Sequence, residues 1–224
     1  IDGPSEAEMV ELADKNISGY TFNPTLFKNL GVVDYIAYSK VVLSLAKNLP
    51  VSLEVIGDSY DKMIVQGRKL SSLGSNVIVK IPISYTSGAS TLEAIKTLSD
   101  EQINLNITAV FTLNQIKRIL PYISETNTII SVFAGRLYDI GIDASESIKE
   151  MSNFVRNNSN CRLLWASPRM HYDCLTAERI GCHIITMTSN MYKKMSLLAK
   201  SPEDYSKETV RMFYRDAVNS GFEI

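Results

Sequence analysis

Three cysteines in 224 residues are too few, and odd in number, to build a disulfide framework. Cys161, Cys174 and Cys182 also form no Cys-x-x-Cys pair, which argues against a structural zinc site. The usage left is that of buried, reduced thiols in a cytoplasmic protein. Histidine is nearly as scarce. With only His171 and His183, a Ser-His-Asp hydrolase is disfavoured. His171 reads as a surface-loop residue and His183 as a strand residue of the core. Neither sign of charge dominates: the net value is −1, so no global field draws in nucleic acid or a membrane surface. No apolar run reaches transmembrane length, and no signal peptide, repeat, linker or low-complexity stretch is visible. The sequence opens on Ile1-Asp2 without a methionine, so one or more residues are expected ahead of it. An apolar content of 45% against 21% charged residues is that of a soluble globular chain, and the length suits one compact domain over residues 1–224.

What is present is a series of short apolar runs that share one peculiarity. Asn76 to Pro82 is β-branched and apolar on both parities, as a buried parallel strand would be, yet it carries Lys80 near its end. A buried ammonium is costly, and burial favours the neutral amine, which is a nucleophile for carbonyl carbons. Taken alone, Lys80 reads equally well as a lysine whose charge escapes to water. Other runs tip the balance. Val51 to Ile56 holds Glu54, Ile103 to Thr108 alternates with Asn106 and Thr108 on one face, and Gly19 to Pro24 puts Thr21 and Asn23 on one face. Thr128 to Phe133 pairs Ser131 with Phe133 and leads into Gly135-Arg136. Arg162 to Ser167 ends on a serine two residues before Arg169, with Trp165 on the inward parity. Polar residues at the same end of six strands imply a shared site.

Strand-like segments centred near Asp2, Thr21, Leu53, Val79, Leu105, Ile130, Leu164 and Ile184 alternate with helical patterns. The latter include 6–15, 58–73, 91–99, 113–120, 145–156 and 172–180. Asp58 and Ser145 are expected as N-caps, and Gly74 and Gly181 as residues just past helix ends. Eight β-then-α units in this length predict a single (β/α)8 TIM barrel, an α/β fold, with a doubly wound open sheet as the alternative. Residues 201–224 add more helix than the eighth unit needs, starting at Ser201-Pro202-Glu203. Their aromatics, Tyr205, Phe213, Tyr214 and Phe222, suit packing beneath the barrel or on a neighbouring subunit. In a barrel, the polar strand ends form the C-terminal mouth, where active sites of this fold lie. Arg136 and Arg169 then stand on its rim, and two guanidinium groups beside the Ser167 hydroxyl suit a phosphate.

The segments Gly19-Tyr20-Thr21-Phe22-Asn23-Pro24-Thr25, Ser52-Leu53-Glu54-Val55, Val77 to Pro82, Asn106 to Phe111, Ser131 to Arg136 and Ala166-Ser167-Pro168-Arg169, with Ile1-Asp2 before them, resemble the transaldolase family. The resemblance is to its small transaldolases and fructose-6-phosphate aldolases and spans the whole chain. It implies transfer of a dihydroxyacetone unit between sugar phosphates through a lysine Schiff base, with no metal or organic cofactor, and a homo-oligomer. Lys80 would form the imine, and Asp2 would serve as acid/base at the C4 hydroxyl. Glu54 and Thr108 would handle the reaction water. Thr21, Asn23, Asn106, Ser131 and Phe133 would line the dihydroxyacetone unit, and Arg136, Ser167 and Arg169 would hold the phosphate.

Some features depart from that pattern. The loop 81–88 after the lysine is one residue longer. Pro168 stands in the middle of Ser167-Pro168-Arg169 and narrows the backbone choices of Ser167. Phe133 replaces a tyrosine, and Glu54 a glutamine, of the aldolase-type relatives, which favours transfer over release. A class I aldolase that frees dihydroxyacetone and a non-catalytic sugar-phosphate-binding barrel are the alternative readings.

Overall fold

The computed structural model describes residues 1–13 and 15–223. Its centre is a parallel sheet of seven strands in sequential order: β1 (Tyr20–Thr21), β2 (Val51–Glu54), β3 (Val77–Pro82), β4 (Leu105–Val110), β5 (Ile129–Phe133), β6 (Arg162–Ala166) and β7 (Ile184–Ile185). The eighth stave is a single residue. Asp2 forms a parallel bridge to Thr21 of β1, and its N–H donates to the carbonyl of Met187, just past β7, at 2.8 Å. That contact closes the sheet, so the arrangement is the expected (β/α)8 barrel and not an open doubly wound sheet. Of the eight expected strands, the one near Asp2 is this bridge and the other seven are observed.

Eleven helices are described: α1 (Glu6–Leu12), α2 (Pro24–Asn29), α3 (Tyr35–Ala46), α4 (Tyr60–Ser71), α5 (Leu92–Asp100), α6 (Leu113–Ile119), α7 (Ala134–Asp139), α8 (Ala144–Asn158), α9 (Asp173–Arg179), α10 (Ser189–Lys194) and α11 (Pro202–Ser220). Their starts follow local capping chemistry. Ser5 with Glu8 and Thr112 with Gln115 form capping boxes, and Asn23-Pro24 and Ser201-Pro202 place a side-chain acceptor just before proline at the first helical position. Gly181 follows α9 with φ 72°, as expected of it. Three expected caps differ. Ser59 occupies the N-cap of α4, while the Asp58 carboxylate accepts instead from Thr86. Asp143 caps α8 and accepts from the Ser145 N–H at 2.9 Å. Gly74 lies beyond Ser72, the C-cap of α4. Residue 14 of the first expected helix and residue 224 of the last segment lie outside the described residues.

The main core lies between sheet and helices, and Trp165 is buried there, its ring 6.3 Å from that of Tyr138. Its inward placement is thus corrected. A second, smaller cluster of Ile129, Leu164 and Ala166 with Ile78, Phe133 and Ile184 belongs to the barrel interior. Leu164 and Ala166 therefore hold the inward parity of β6. Ser167 misleads because its φ of 58° breaks the strand's alternation. His183 is exposed rather than in the core. β7 begins only at Ile184, and the His183 ring sits at the N-terminal edge, where Nδ1 accepts from the Leu163 N–H at 3.1 Å. No described helix is long and apolar enough to cross a membrane.

Candidate active site

Parallel register puts the polar residues level with one another. Glu54 of β2 is opposite Lys80 of β3, and Lys80 is opposite Asn106 of β4. Lys80 is 5% exposed. Its Nζ lies 3.2 Å from Glu54 Oε2 and donates to the carbonyl of Phe22 at 3.3 Å. The amine is thus enclosed with one carboxylate and one carbonyl, and Glu54 is placed to exchange a proton with it. Tyr35 supports this edge from α3, donating to the Glu54 carbonyl at 2.7 Å.

Two side-chain chains cross the interior at this level. In one, Ser131 Oγ donates to Asn106 Oδ1 at 2.7 Å, and Asn106 Nδ2 donates to Ser52 Oγ at 3.1 Å. Asn106 is fully buried, so these bonds fix the orientation of its amide. In the other, Thr21 Oγ1 donates to Asp2 Oδ1 at 2.7 Å and lies 2.7 Å from Thr186 Oγ1. Thr108 Oγ1 is buried with no hydrogen-bond partner among the described residues. It stands directly before Ala109, whose φ of 58° accompanies a register shift in the β4–β5 ladder. A bulge of this kind re-aims a side chain at a strand end.

Asn23 is only partly free to meet a ligand. Its Oδ1 caps α2, accepting from the Leu26 N–H at 2.9 Å, which leaves the amide nitrogen to donate. Phe133 stacks on Phe111 with ring centres 5.9 Å apart, and the Arg136 guanidinium lies 5.9 Å from the Phe133 ring centre. Arg169 is held on the adjoining loop. Its Nη1 donates to Ser167 Oγ at 2.9 Å, and its Nε donates to Asp139 Oδ1 at 2.9 Å beside a second bond from Nη2 to the same carboxylate. The Asp139 carboxyl is held below its ordinary range, first by those bonds and then by the charges of Arg169 and Arg136. Asp173, buried, accepts from the N–H groups of Arg169 and Met170 and shapes the same turn. Gly135 lets the first turn of α7 meet the loop after β6, because a Cβ there would lie 1.8 Å from the Ser167 carbonyl and 2.7 Å from Arg169 Nη1. Arg136, Ser167 and Arg169 are thereby gathered on one side of the mouth. His171, partly buried, lies in the same loop region.

The loop after β3 is a small hairpin. Ser84 bridges Ser90, and the Tyr85 N–H donates to Ala89 O at 2.9 Å. Asp58, from the loop after β2, fastens it by accepting from the Thr86 N–H and hydroxyl. Four residues of this neighbourhood were missed in sequence. Thr186 carries the same strand-end signal as the residues that were read, whereas Ser52 stands near the start of β2, on the same face as Glu54. Asp139 and Tyr35 carry none, since only the fold brings them to Arg169 and Glu54. Among the described residues no group of three or more His, Cys, Asp or Glu could hold a metal ion.

A closed parallel barrel with a carboxylate-paired lysine inside it and two arginines beyond the ends of β5 and β6 places a candidate site at the C-terminal mouth of a TIM barrel. Solved structures agree on the fold. N-acetylneuraminate lyase from Mycoplasma synoviae superposes with a TM-score of 0.60 at 14% identity, covering 95% of this chain and 73% of that one. A mandelate oxidase variant gives 0.57 at 13% identity, covering 83% and 60%. The sequence comparisons are more specific. The profile of the transaldolase/fructose-6-phosphate aldolase family matches residues 1–224. A probable transaldolase of Thermoplasma acidophilum is 35% identical over 85% of this chain and 83% of its own, and one of a Thermoanaerobacter species is 32% identical over 93% and 90%. The chain belongs to the transaldolase/fructose-6-phosphate aldolase family. It is an enzyme of transaldolase-like function, a transferase.

Proposed function

We propose that the enzyme moves a dihydroxyacetone unit from a ketose phosphate, such as fructose 6-phosphate or sedoheptulose 7-phosphate, to an aldose phosphate through an imine on Lys80. The observation that carries this reading is the enclosed Lys80 amine with the Glu54 carboxylate 3.2 Å away. Glu54 takes a proton from the ammonium, and the free amine adds to the ketone carbon. The resulting carbinolamine loses its hydroxyl as water. Glu54 returns the proton for that step, the unpartnered Thr108 hydroxyl holds the water, and a protonated imine remains. Asp2 then removes the C4 hydroxyl proton as the C3–C4 bond breaks, and the bonding pair moves into the iminium to give an enamine. The departing aldehyde keeps the phosphate. The acceptor aldehyde reverses these steps, with Asp2 returning its proton to the new C4 oxygen, and hydrolysis of the imine frees Lys80.

Around that chemistry, Asn23, Asn106 and Ser131, with Thr21 beside them, bind the hydroxyls of the dihydroxyacetone unit. Arg136, Ser167 and Arg169 grip the phosphate with charge-assisted bonds. Phe133 has no proton to give the enamine carbon, which favours transfer over release of free dihydroxyacetone. The same reading places the enzyme in the cytoplasm and in pentose phosphate metabolism, where such sugars interconvert. Helix α11 has no buried residue and exposes Val210, Phe213, Tyr214 and Val218, which supports a homo-oligomer with α11 at the subunit contact.

Borohydride reduction tests the reading. With fructose 6-phosphate or dihydroxyacetone, the reduced adduct maps to the peptide containing Lys80 and is absent from Lys80→Met. An adduct surviving in that variant refutes the assignment. Sugar-phosphate binding without any trapped adduct marks a binding barrel instead.

A further inference from the structure

The two interior chains lead away from the mouth and reach the same place. A cavity of about 390 Å³ lies on the N-terminal side of the barrel, lined among others by Thr21, Thr186, Ser52, Ser18, Ile129 and Leu164. Three of these residues belong to the chains: Thr21 and Thr186 from Asp2, and Ser52 from Ser131 by way of Asn106. The Asp2 chain has a definite polarity. Thr21 has one hydroxyl proton, and the Asp2 carboxylate 2.7 Å away takes it. The 2.7 Å contact between the two threonines must therefore be donated by Thr186. Thr186 is 5% exposed, and its acceptor capacity remains for the cavity side.

The geometry points to Thr186 as a positioning residue of the reaction, one that lets Thr21 follow the changing protonation of Asp2 by linking it to the cavity. This rests on Asp2 as the acid/base proposed above. With Asp2 ionised, the hydroxyls point Thr186 to Thr21 to Asp2. When Asp2 holds the C4 proton, its O–H donates to Thr21, Thr21 donates to Thr186, and Thr186 turns its proton to water in the cavity. Only hydroxyl hydrogens turn, no heavy atom moves, and the chain holds one proton more than before, the one taken from the C4 hydroxyl. Both states of Asp2 keep every hydroxyl satisfied, and a buried polar group left unsatisfied is costly. Without the Thr186 hydroxyl, Thr21 has no second oxygen to serve, and the protonated state of Asp2 loses its support.

The test compares the unmodified enzyme with Thr186→Val, Thr186→Ser and, as a reference, Asp2→Asn, using fructose 6-phosphate with erythrose 4-phosphate. Lys80 trapping by borohydride is followed in parallel. The valine variant keeps the shape and loses the hydroxyl. Its kcat should fall about five- to tenfold with KM nearly unchanged, the size expected for one buried hydrogen bond. Trapping at Lys80 should persist, and serine should restore kcat. Should the valine variant fail to fold, Thr186→Ala takes its place with the same expectation. Valine at full kcat, or serine as impaired as valine, overturns the relay and points to packing alone. If the unmodified enzyme shows neither turnover nor a trapped imine, the catalytic reading fails and the relay falls with it. Turnover and trapping that survive in Asp2→Asn would remove the relay's purpose while leaving Lys80 in place.

Discussion

Replacing Gly135 by alanine should separate phosphate recognition from imine chemistry. The added Cβ would stand 1.8 Å from the Ser167 carbonyl, where contacts below 3.0 Å are essentially never tolerated. Relief requires a displacement of about 1.2 Å, the difference between the two distances, and the obstructing atom is backbone rather than a flexible side-chain tip. The segment that must move carries Ser167 and Arg169, so Arg169 Nη1, 2.7 Å from the same point, moves with it. A misplacement of about 1 Å can cost roughly a hundredfold in a positioned site. Loss of one charge-assisted bond, at about 1.5–3 kcal/mol, corresponds to roughly a ten- to hundredfold change in KM. Overpacking should also lower stability by about 1–3 kcal/mol. The assay is steady-state kinetics with fructose 6-phosphate as donor, set against borohydride trapping of unphosphorylated dihydroxyacetone. The expected outcome is a KM raised at least tenfold with the dihydroxyacetone adduct on Lys80 retained. An unchanged KM would show that the close approach of α7 to the loop after β6 has no part in phosphate binding, and equal loss of both readouts would show general collapse.

Arg136→Ala and Arg169→Ala should each raise KM for phosphorylated donors about tenfold or more, again at roughly 1.5–3 kcal/mol per charge-assisted bond. Equal losses on unphosphorylated donors would show that they only support structure. Phe133→Tyr should increase cleavage of fructose 6-phosphate in the absence of an acceptor, because it adds a proton donor beside the enamine. Fast acceptor-free release of dihydroxyacetone by the unmodified enzyme would contradict the transferase reading. Asp58 is held below its ordinary value of 3.8 by the side-chain and then the backbone bond from Thr86. A depressed carboxyl stabilises the fold above the unfolded value, and that contribution disappears as pH falls through the lower folded one. Protection of the Thr86 amide against hydrogen exchange should therefore last to below pH 3.8 and vanish in Asp58→Ala. Loss of protection already above that pH would mean the clasp is not formed in solution.

Much of the barrel is legible because its strands report their own burial. β3 is apolar on both parities, as a strand covered on both faces must be, and its one charge stands out for that reason. Reading fails where alternation stops being local. Ser167 looks inward-facing, but its left-handed backbone belongs to the turn, and Trp165, on the same parity in the strand, packs outward against the helices. Asn23 was read purely as a ligand-binding residue, although Asn-Pro before a helix also signals a cap, and its carbonyl oxygen serves that cap. Asp139 ends a short helix and looks like an ordinary exposed acid. Its partner Arg169 is 30 residues away, and no periodicity connects the two. The unsatisfied Thr108 hydroxyl depends on a bulge that β-propensity does not reveal.

The one-residue stave at Asp2 ties assembly to reactivity. Asp2 meets Met187, 185 positions later in the chain, so the ring closes only after nearly every other strand has been made and placed. Closing so long a segment adds little entropy beyond that of a shorter one, because the penalty grows only with the logarithm of length. The consequence is temporal. On the ribosome, the lysine emerges about halfway through the sequence of staves, while the Asp2 carboxylate, though made first, is fixed in place only by the last of them. In the reaction proposed above, a growing chain would hold the nucleophile without the group that completes bond cleavage, and the two would become available together only when the first stave meets the last.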